Sequence, residues 1–143
     1  MLTAPKTIRQ YVNISKMKYT NIHPETLKSI DRLKELKDGW LEGHGKAPKH
    51  EGLDWIIDVL ELEWGFNDLP TMYFTPTYEG YIECEWSNFP TYYPSLEINL
   101  WNRTGYWHNV NRKTKTFEEQ YLNLQNPFHW QYLRDEITKA YTK

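Results

Sequence analysis

The sequence has a single cysteine, Cys84, among 143 residues, so it cannot form an internal disulfide. A lone thiol is typical of proteins from a reducing compartment. The chain also lacks any run of roughly eighteen consecutive apolar residues, the minimum for a membrane-spanning helix. Its first residues contain no apolar signal-peptide core. We therefore expect a cytoplasmic protein without a membrane partner.

The sequence signatures of common catalytic and metal sites are missing too. There is no HExxH, CxxC, GxSxG or P-loop motif, and no two of the five histidines lie four residues apart. Such spacings bring ligands, or a nucleophile and its base, within reach of one another. The sequence therefore assigns no catalytic residue, no metal ligand and no cofactor.

Net charge and aromatic content favour a protein partner. The formal charge is −2, so the chain has no overall basic character and nucleic acid is not expected as a partner. Aromatic residues make up 16% of the chain, with seven tryptophans and eleven tyrosines. A core of this size leaves some of them exposed, and Tyr and Trp are enriched where proteins meet. The sequence specifies neither the partner nor the oligomeric state.

Two amphipathic helices are predicted in the first half of the chain. Pro24 suits the first position of a helix that begins after His23, and Leu27, Ile30 and Leu33 follow at helical spacing. A second helix is predicted over about 48–64, with a clean apolar stripe and a glycine after its last turn. The short connection predicts that the helices are neighbours, as an αα-hairpin over 23–65.

From residue 69 onward the pattern changes to strands. Two segments alternate between apolar and polar residues, which predicts strands with one buried and one outward face. The buried face would hold Ile82, Cys84, Trp86, Leu96, Ile98 and Leu100. The outward face would hold Tyr81, Glu83, Glu85, Glu97, Asn99 and Trp101. A hairpin turn is predicted at Asn102-Arg103-Thr104-Gly105, with the glycine in the turn.

These elements predict an α+β fold in one domain, 1–143: an αα-hairpin and a C-terminal helix packed on a small antiparallel sheet of three or four strands. The sheet is expected over 69–110 and C-terminal helices over 117–141, because Phe117, Tyr121 and Leu124 have helical spacing. Residues 1–22 are expected to form a basic N-terminal arm.

The segment between the predicted helices, DGWLEGHGKAP, contains three glycines and ends at a proline. Glycine is favoured where the backbone must adopt a positive φ. One interpretation is a binding loop in which Asp38, Glu42 and His44 face a ligand. The favoured interpretation is a structural turn pinned by the ring of Trp40.

A resemblance rests on this turn and on the strands that follow. The matching residues are Asp38-Gly39-Trp40, Gly43, Gly45, Pro48, Pro70, Pro76, Gly80, Ile82, Glu85-Trp86 and Leu96-Glu97-Ile98. Over roughly residues 27–100 the chain resembles a widespread uncharacterised family of small bacterial and phage proteins. The usual Trp-Asp-Gly order differs here, because Gly39 precedes Trp40 and Glu42 takes the acidic place. Tyr81 also stands where a second glycine is common. Such proteins are often encoded on mobile elements, sometimes beside toxin or defence genes, which implies an interaction role.

Two groups of residues are candidates for function. Three glutamates on the outward face could bind a cation or share protons, which would suit a metal-assisted hydrolase. Alternatively, these glutamates serve only solubility, because an antiparallel sheet with one solvent-exposed face carries polar residues there. The other group is aromatic and suits a protein interface better than stacking on nucleic acid. It comprises Tyr78, Tyr81, Tyr92, Tyr93, Trp101, Tyr106 and Trp107.

We therefore expect a non-enzymatic protein-binding module of the antitoxin, immunity or inhibitor type, acting on a macromolecular partner. An acidic and aromatic surface can mimic nucleic acid toward a basic partner. The residues expected to bind are Tyr81, Glu83, Glu85, Glu97, Trp101, Glu42 and His44. The alternative is a small hydrolase that uses Glu83, Glu85 and His44.

Overall fold

The computed structural model of this protein describes residue 19 and residues 21–65 and 68–142. The expected N-terminal arm, 1–22, lies almost wholly outside the described residues. Within them, three helices and five strands form an α+β fold. No helix in this part of the chain is both long and apolar enough to cross a bilayer.

Helix α1 (Pro24–Lys34) begins as its sequence predicts. Pro24 occupies the start of the helix, and the Nδ1 atom of His23 accepts a hydrogen bond from the backbone N–H of Glu25. Proline is tolerated there because the first helical N–H groups have no partner within the helix. Ile30 and Leu33 are buried on the face directed at the sheet.

Helix α2 (His50–Val59) continues as one turn of π-helix (Leu60–Trp64) and ends at Gly65, whose φ of 75° suits a residue without a Cβ. The two helices are neighbours, and Lys34 forms an ion pair with Asp54 at 2.7 Å. The predicted αα-hairpin is confirmed.

The sheet has five strands in the order β1-β2-β3-β4-β5, each antiparallel to the next. The strands are β1 (Met72–Pro76), β2 (Ile82–Trp86), β3 (Tyr92–Asn99), β4 (Thr104–Asn111) and β5 (Phe117–Asn123). The prediction of three or four strands ending near residue 110 was one strand short. A last helix, α3 (Pro127–Tyr141), follows and packs on the same core.

The helix expected around Phe117 and Tyr121 is strand β5. Helical spacing of three aromatic or apolar residues was a misleading signal, since pairing with β4 along its whole length overrides it. Gly105 was also misplaced. It lies in β4, where an added Cβ would be 3.0 Å from the side chains of Leu96 and Leu124, and the positive φ of the turn falls on Arg103.

All helices cover one face of the sheet. The six residues predicted to face inward are buried, together with Trp107 from β4 and Trp130 from α3. The opposite face carries no helix, and its residues are exposed or half-buried. The predicted assignment of the two faces is confirmed for β2 and β3.

The two edges of the sheet differ. Along β1 the hydroxyl of Thr26 donates to the backbone oxygen of Met72 (2.7 Å), and the N–H of Phe74 donates to the hydroxyl of Ser29 (3.2 Å). Helix α1 therefore covers this edge and satisfies part of its backbone. Strand β5 forms the other edge.

Candidate functional site

The uncovered sheet face is the candidate site, and we call it the open face. Strand alternation brings one side chain from each strand into rows across it. One row reads Thr75, Glu83, Glu97, Tyr106 and Tyr121. The next reads Tyr73, Glu85, Ser95, His108 and Glu119. The centre of the face is therefore acidic, and its β4–β5 side is mainly aromatic.

The acidic centre consists of Glu83, Glu85 and Glu97. Glu83 and Glu97 lie directly opposite each other in the β2–β3 register. Partial burial, followed by the negative charges of Glu85 and Glu97, raises the pKa of Glu83 above its ordinary value. Partial burial and the charge of Glu79 raise the pKa of Glu97. Like charges opposed across strands destabilise a sheet, so this arrangement is not explained by stability.

The ion pairs within the described part of the chain leave this cluster uncompensated. They join Lys28 to Glu25, Lys34 to Asp54, Lys49 to Glu51 and Lys139 to Glu136, and none includes a glutamate of the open face. A cationic group brought to the face would relieve this repulsion.

On the aromatic side of the face, the sequence indicated Tyr106 but missed Phe117 and Tyr121, because β5 was expected to be helical. The rings of Tyr106 and Tyr121 lie 5.0 Å apart, as do those of His108 and Phe117. Phe117 is 59% exposed and Tyr121 is 74% exposed. The signal in the sequence was the polar turn at 111–116, whose length suits a hairpin between β4 and β5.

A hydrogen bond lies where the acidic and aromatic sides of the open face meet. The hydroxyl of Tyr106 donates to the carboxylate of Glu119, which raises the pKa of Tyr106 to about 12. Tyr106 therefore stays protonated and keeps its ring oriented across the face at any physiological pH.

Tyr81 and Trp101 form one end of the open face. Their rings meet at 6.0 Å in an edge-on arrangement, and the Nζ atom of Lys46 lies 4.7 Å from the Trp101 ring centre. Trp101 follows β3 rather than belonging to it, since β3 ends at Asn99. The ring lies close over Gly80, where an added Cβ would be 2.9 Å from it.

The glycine-rich segment 38–48 lies beside this end and is a structural turn. Leu41 and His44 exchange two backbone hydrogen bonds of 2.8 Å around Glu42 and Gly43, both with positive φ. This is the geometry of a tight two-residue hairpin of type I′. The indole N–H of Trp40 donates to the backbone oxygen of Lys46 (3.0 Å).

The favoured interpretation of this turn is supported with one change. Trp40 pins it, but the ring is half-buried against Gly45 rather than part of the core. The carboxylate of Asp38 accepts from the N–H of Ala47 (2.9 Å) and so has a structural contact. Glu42 and His44 are exposed at the tip of the turn.

The other end of the face contains a cleft beside Glu85. The hydroxyl of Tyr93 donates to this carboxylate (2.9 Å), and the guanidinium of Arg112 lies 5.2 Å from the Tyr93 ring centre. Tyr73 and Asn88 also line the cleft. Two aromatic rings and a carboxylate at one point suit the side chain of a lysine or arginine from a partner.

Two sequence-based candidates need correction. Trp107 is fully buried, because alternation turns it to the helix side of β4, and Tyr92 is half-buried against the core. Trp107 therefore cannot take part in an exposed aromatic patch, whereas Tyr92 lines the cleft beside Glu85. Among the described residues, no group of three or more His, Cys, Asp or Glu side chains is arranged to hold a metal ion. Cys84 is buried, and burial raises the pKa of its thiol.

Comparisons with known proteins return nothing: no protein-family profile, no curated protein and no solved structure matches this chain. The resemblance to small bacterial and phage proteins therefore stays an expectation. Function has to be inferred from the geometry of the open face.

Proposed function

We propose that this protein is a non-enzymatic binding module whose open face docks on a basic macromolecular partner, as an antitoxin, immunity factor or inhibitor would. The observation that carries the proposal is the opposed pair of Glu83 and Glu97, with Glu85 beside it. Its raised pKa values indicate carboxylates whose charge is unfavourable in the free protein. A cationic partner would offset the part of that cost that comes from the neighbouring carboxylates.

The aromatic residues supply the second part of such an interface. Tyr81 and Trp101 at one end and Tyr121 on the β5 side are half-buried or exposed around the acidic centre. Tyr and Trp in this position provide large contact areas at a low entropic cost, and they dominate many interfaces. We assign the acidic centre to partner selection and these rings to affinity.

The partner chemistry follows from charge. A surface of carboxylates and tyrosine rings presents negative charge on a rigid sheet, as the phosphates and bases of a nucleic acid do. Nucleases and DNA-binding proteins carry the complementary basic surface. We infer a partner from this class, which agrees with the role that the family resemblance implies.

The metal-assisted hydrolase receives no support from a specific feature. The raised pKa of Glu83 would suit a proton donor, but this carboxylate lies on an open surface and not in a cleft that excludes water. In the cleft beside Glu85, the carboxylate already accepts the Tyr93 hydroxyl.

The proposal is tested by capturing the tagged protein from the cells that naturally encode it and identifying its partner by mass spectrometry. We expect one stoichiometric partner with a basic surface, lost when Glu83→Gln and Glu97→Gln are combined. The matched control combines Glu51→Gln with Asp54→Asn, which removes two exposed carboxylates from helix α2. Retention of the partner by the double variant, or an acidic partner, would overturn the proposal.

A further inference from the structure

We propose that strand β5 is a docking edge, to which a basic partner adds an extended strand that continues the sheet and its open face. This inference rests on the proposed function for the charge of the partner. It adds the mode of binding, which the composition of the face does not give. Strand addition uses backbone hydrogen bonds for affinity and alternate side chains for specificity.

The direction of the backbone groups along β5 follows from two hydrogen bonds. The N–H of Asn111 donates to the oxygen of Thr116 across the β4–β5 turn (2.8 Å). The N–H of Asn123 points the other way and donates to Nδ1 of His129 in α3 (2.7 Å). Because successive residues of a strand direct their backbone groups to alternate sides, Phe117, Glu119 and Tyr121 direct theirs away from β4.

These outward groups form a short free edge. Among the described residues, one hydrogen bond is made to these outward groups between residues 117 and 121. The side-chain amide of Gln120 donates it to the backbone oxygen of Tyr121 (3.2 Å). The N–H groups of Phe117, Glu119 and Tyr121 face solvent. The edge of β1 differs, because Thr26 and Ser29 of α1 bond to it. Proteins commonly cover such edges or place charges on them to prevent unwanted pairing, and β5 is charged rather than covered.

The charge of β5 selects the occupant. The strand carries Glu118 and Glu119 and no cation. Pairing of β5 with a second copy would place four carboxylates on two adjacent strands, which is unfavourable. A partner strand with alternating lysine or arginine places cations beside Glu119 on the open face. Its remaining side chains would point to the opposite face, beside Gln120 and Leu122.

The test uses the complete protein and a synthetic peptide of alternating lysine and valine, seven residues long and blocked at both ends. Binding is measured by fluorescence anisotropy of a labelled peptide. The control peptide has the same sequence but carries a methyl group on the amide nitrogens that would face β5. Methylation preserves charge and removes strand pairing. We expect the control peptide to bind at least tenfold more weakly.

Two variants test whether the peptide binds along β5. Tyr121→Pro removes an outward N–H that β4 does not use, and an edge strand tolerates proline there. Tyr121→Thr removes the same ring and keeps the N–H. We expect Tyr121→Pro to bind the lysine–valine peptide at least fivefold more weakly than Tyr121→Thr. Circular dichroism should show that both variants keep the fold.

The outcomes separate this inference from the proposed function. Equal binding of both peptides, no binding of either, or equal binding by the two variants would overturn the docking edge. If both peptides bind equally but Glu83→Gln with Glu97→Gln weakens them, the basic partner stands and strand addition fails. If an alternating threonine–valine peptide binds as well as the lysine peptide, and Tyr121→Pro abolishes this binding, the edge stands and the choice of a basic partner fails.

Discussion

The central pair of carboxylates makes a prediction about stability: Glu83→Gln should make the free protein more stable. Partial burial raises the pKa of Glu83 most, and the charges of Glu85, two residues along β2, and of Glu97, across the strands, raise it further. Glutamine keeps the size of the side chain and removes the charge. Most surface substitutions are neutral or slightly destabilising, so a gain in stability would be diagnostic.

The size of the effect follows from Coulomb's law. Carboxylates at the ends of facing side chains lie roughly 6 to 7 Å apart, and with an effective dielectric constant of about 60 their repulsion is about 0.8 kcal/mol. Screening at physiological salt, with a Debye length of about 8 Å, reduces this to about 0.4 kcal/mol. Glu83 has two such neighbours, which gives a gain of about 0.8 kcal/mol. For a chain of this length that raises Tm by about 2 to 3 °C.

The raised pKa of Glu83 also predicts how the gain in stability of Glu83→Gln depends on pH. Because the pKa of Glu83 is raised by folding, the native state holds this proton more tightly than the unfolded chain does. The associated stability is present below the unfolded pKa and is lost as pH rises through the folded pKa. The advantage of Glu83→Gln should therefore be absent at about pH 3, appear above about pH 4.5, and be complete at about pH 7.

The assay is thermal unfolding followed by circular dichroism at both pH values and at two salt concentrations. Glu118→Gln provides the control, since it removes one charge from the opposite face of the sheet. A neutral or destabilising Glu83→Gln at pH 7, or an equal gain at pH 3, would refute the electrostatic reasoning. So would a gain that high salt leaves unchanged.

Three further predictions concern the scaffold and the border of the face. Gly52→Ala should destabilise the protein, because the new Cβ would lie 2.5 Å from Leu100 Cβ. In a helix without such a contact, the same change normally stabilises by about 1 kcal/mol. A gain in stability in a denaturant melt would contradict the observed packing. Thr26→Val should cost about 1 to 2 kcal/mol in the same melt, since it leaves a backbone oxygen of β1 unsatisfied, and an unchanged midpoint would contradict this. In carbon-detected NMR titrations of the tyrosines, Tyr106 should titrate near 12, and Glu119→Gln should return its pKa toward the ordinary value of 10.0.

The sequence predicts the scaffold where one physical signal dominates. The clean apolar stripe of α2 and the alternation of β2 and β3 specify their buried faces. Local rules also place Pro24 and Gly65 at helix boundaries. These predictions succeed because burial of one face decides the structure of each element, and its period is visible in the chain.

Strand β5 could not be predicted in the same way. Its open face mixes polar and aromatic residues, and the other face is polar except for the buried Leu122. Pairing with β4 decides its conformation, and pairing is a long-range property that local spacing does not contain. For the same reason the sequence predicts the acidic centre of the site but not the contribution of β5 to its aromatic side.

The glycine-rich turn shows what amino-acid composition can and cannot predict about a loop. Three glycines around a tryptophan predict a tight turn, and the observed hairpin with positive φ at Glu42 and Gly43 agrees. Whether Trp40 belongs to the core depends on the position of the whole turn relative to the sheet. Its backbone bond to the β1–β2 connection, from Lys46 N–H to the oxygen of Tyr78 (3.0 Å), keeps the turn at the end of the open face.

The most direct test of the central claim is covalent labelling of carboxylates, compared between the free protein and the complex captured from its native cells. We expect labelling of Glu83 and Glu97 to fall at least threefold in the complex, while Asp54 and Glu42 keep their labelling. Protection of Asp54 on the outer side of α2, with Glu83 and Glu97 labelled as in the free protein, would contradict it.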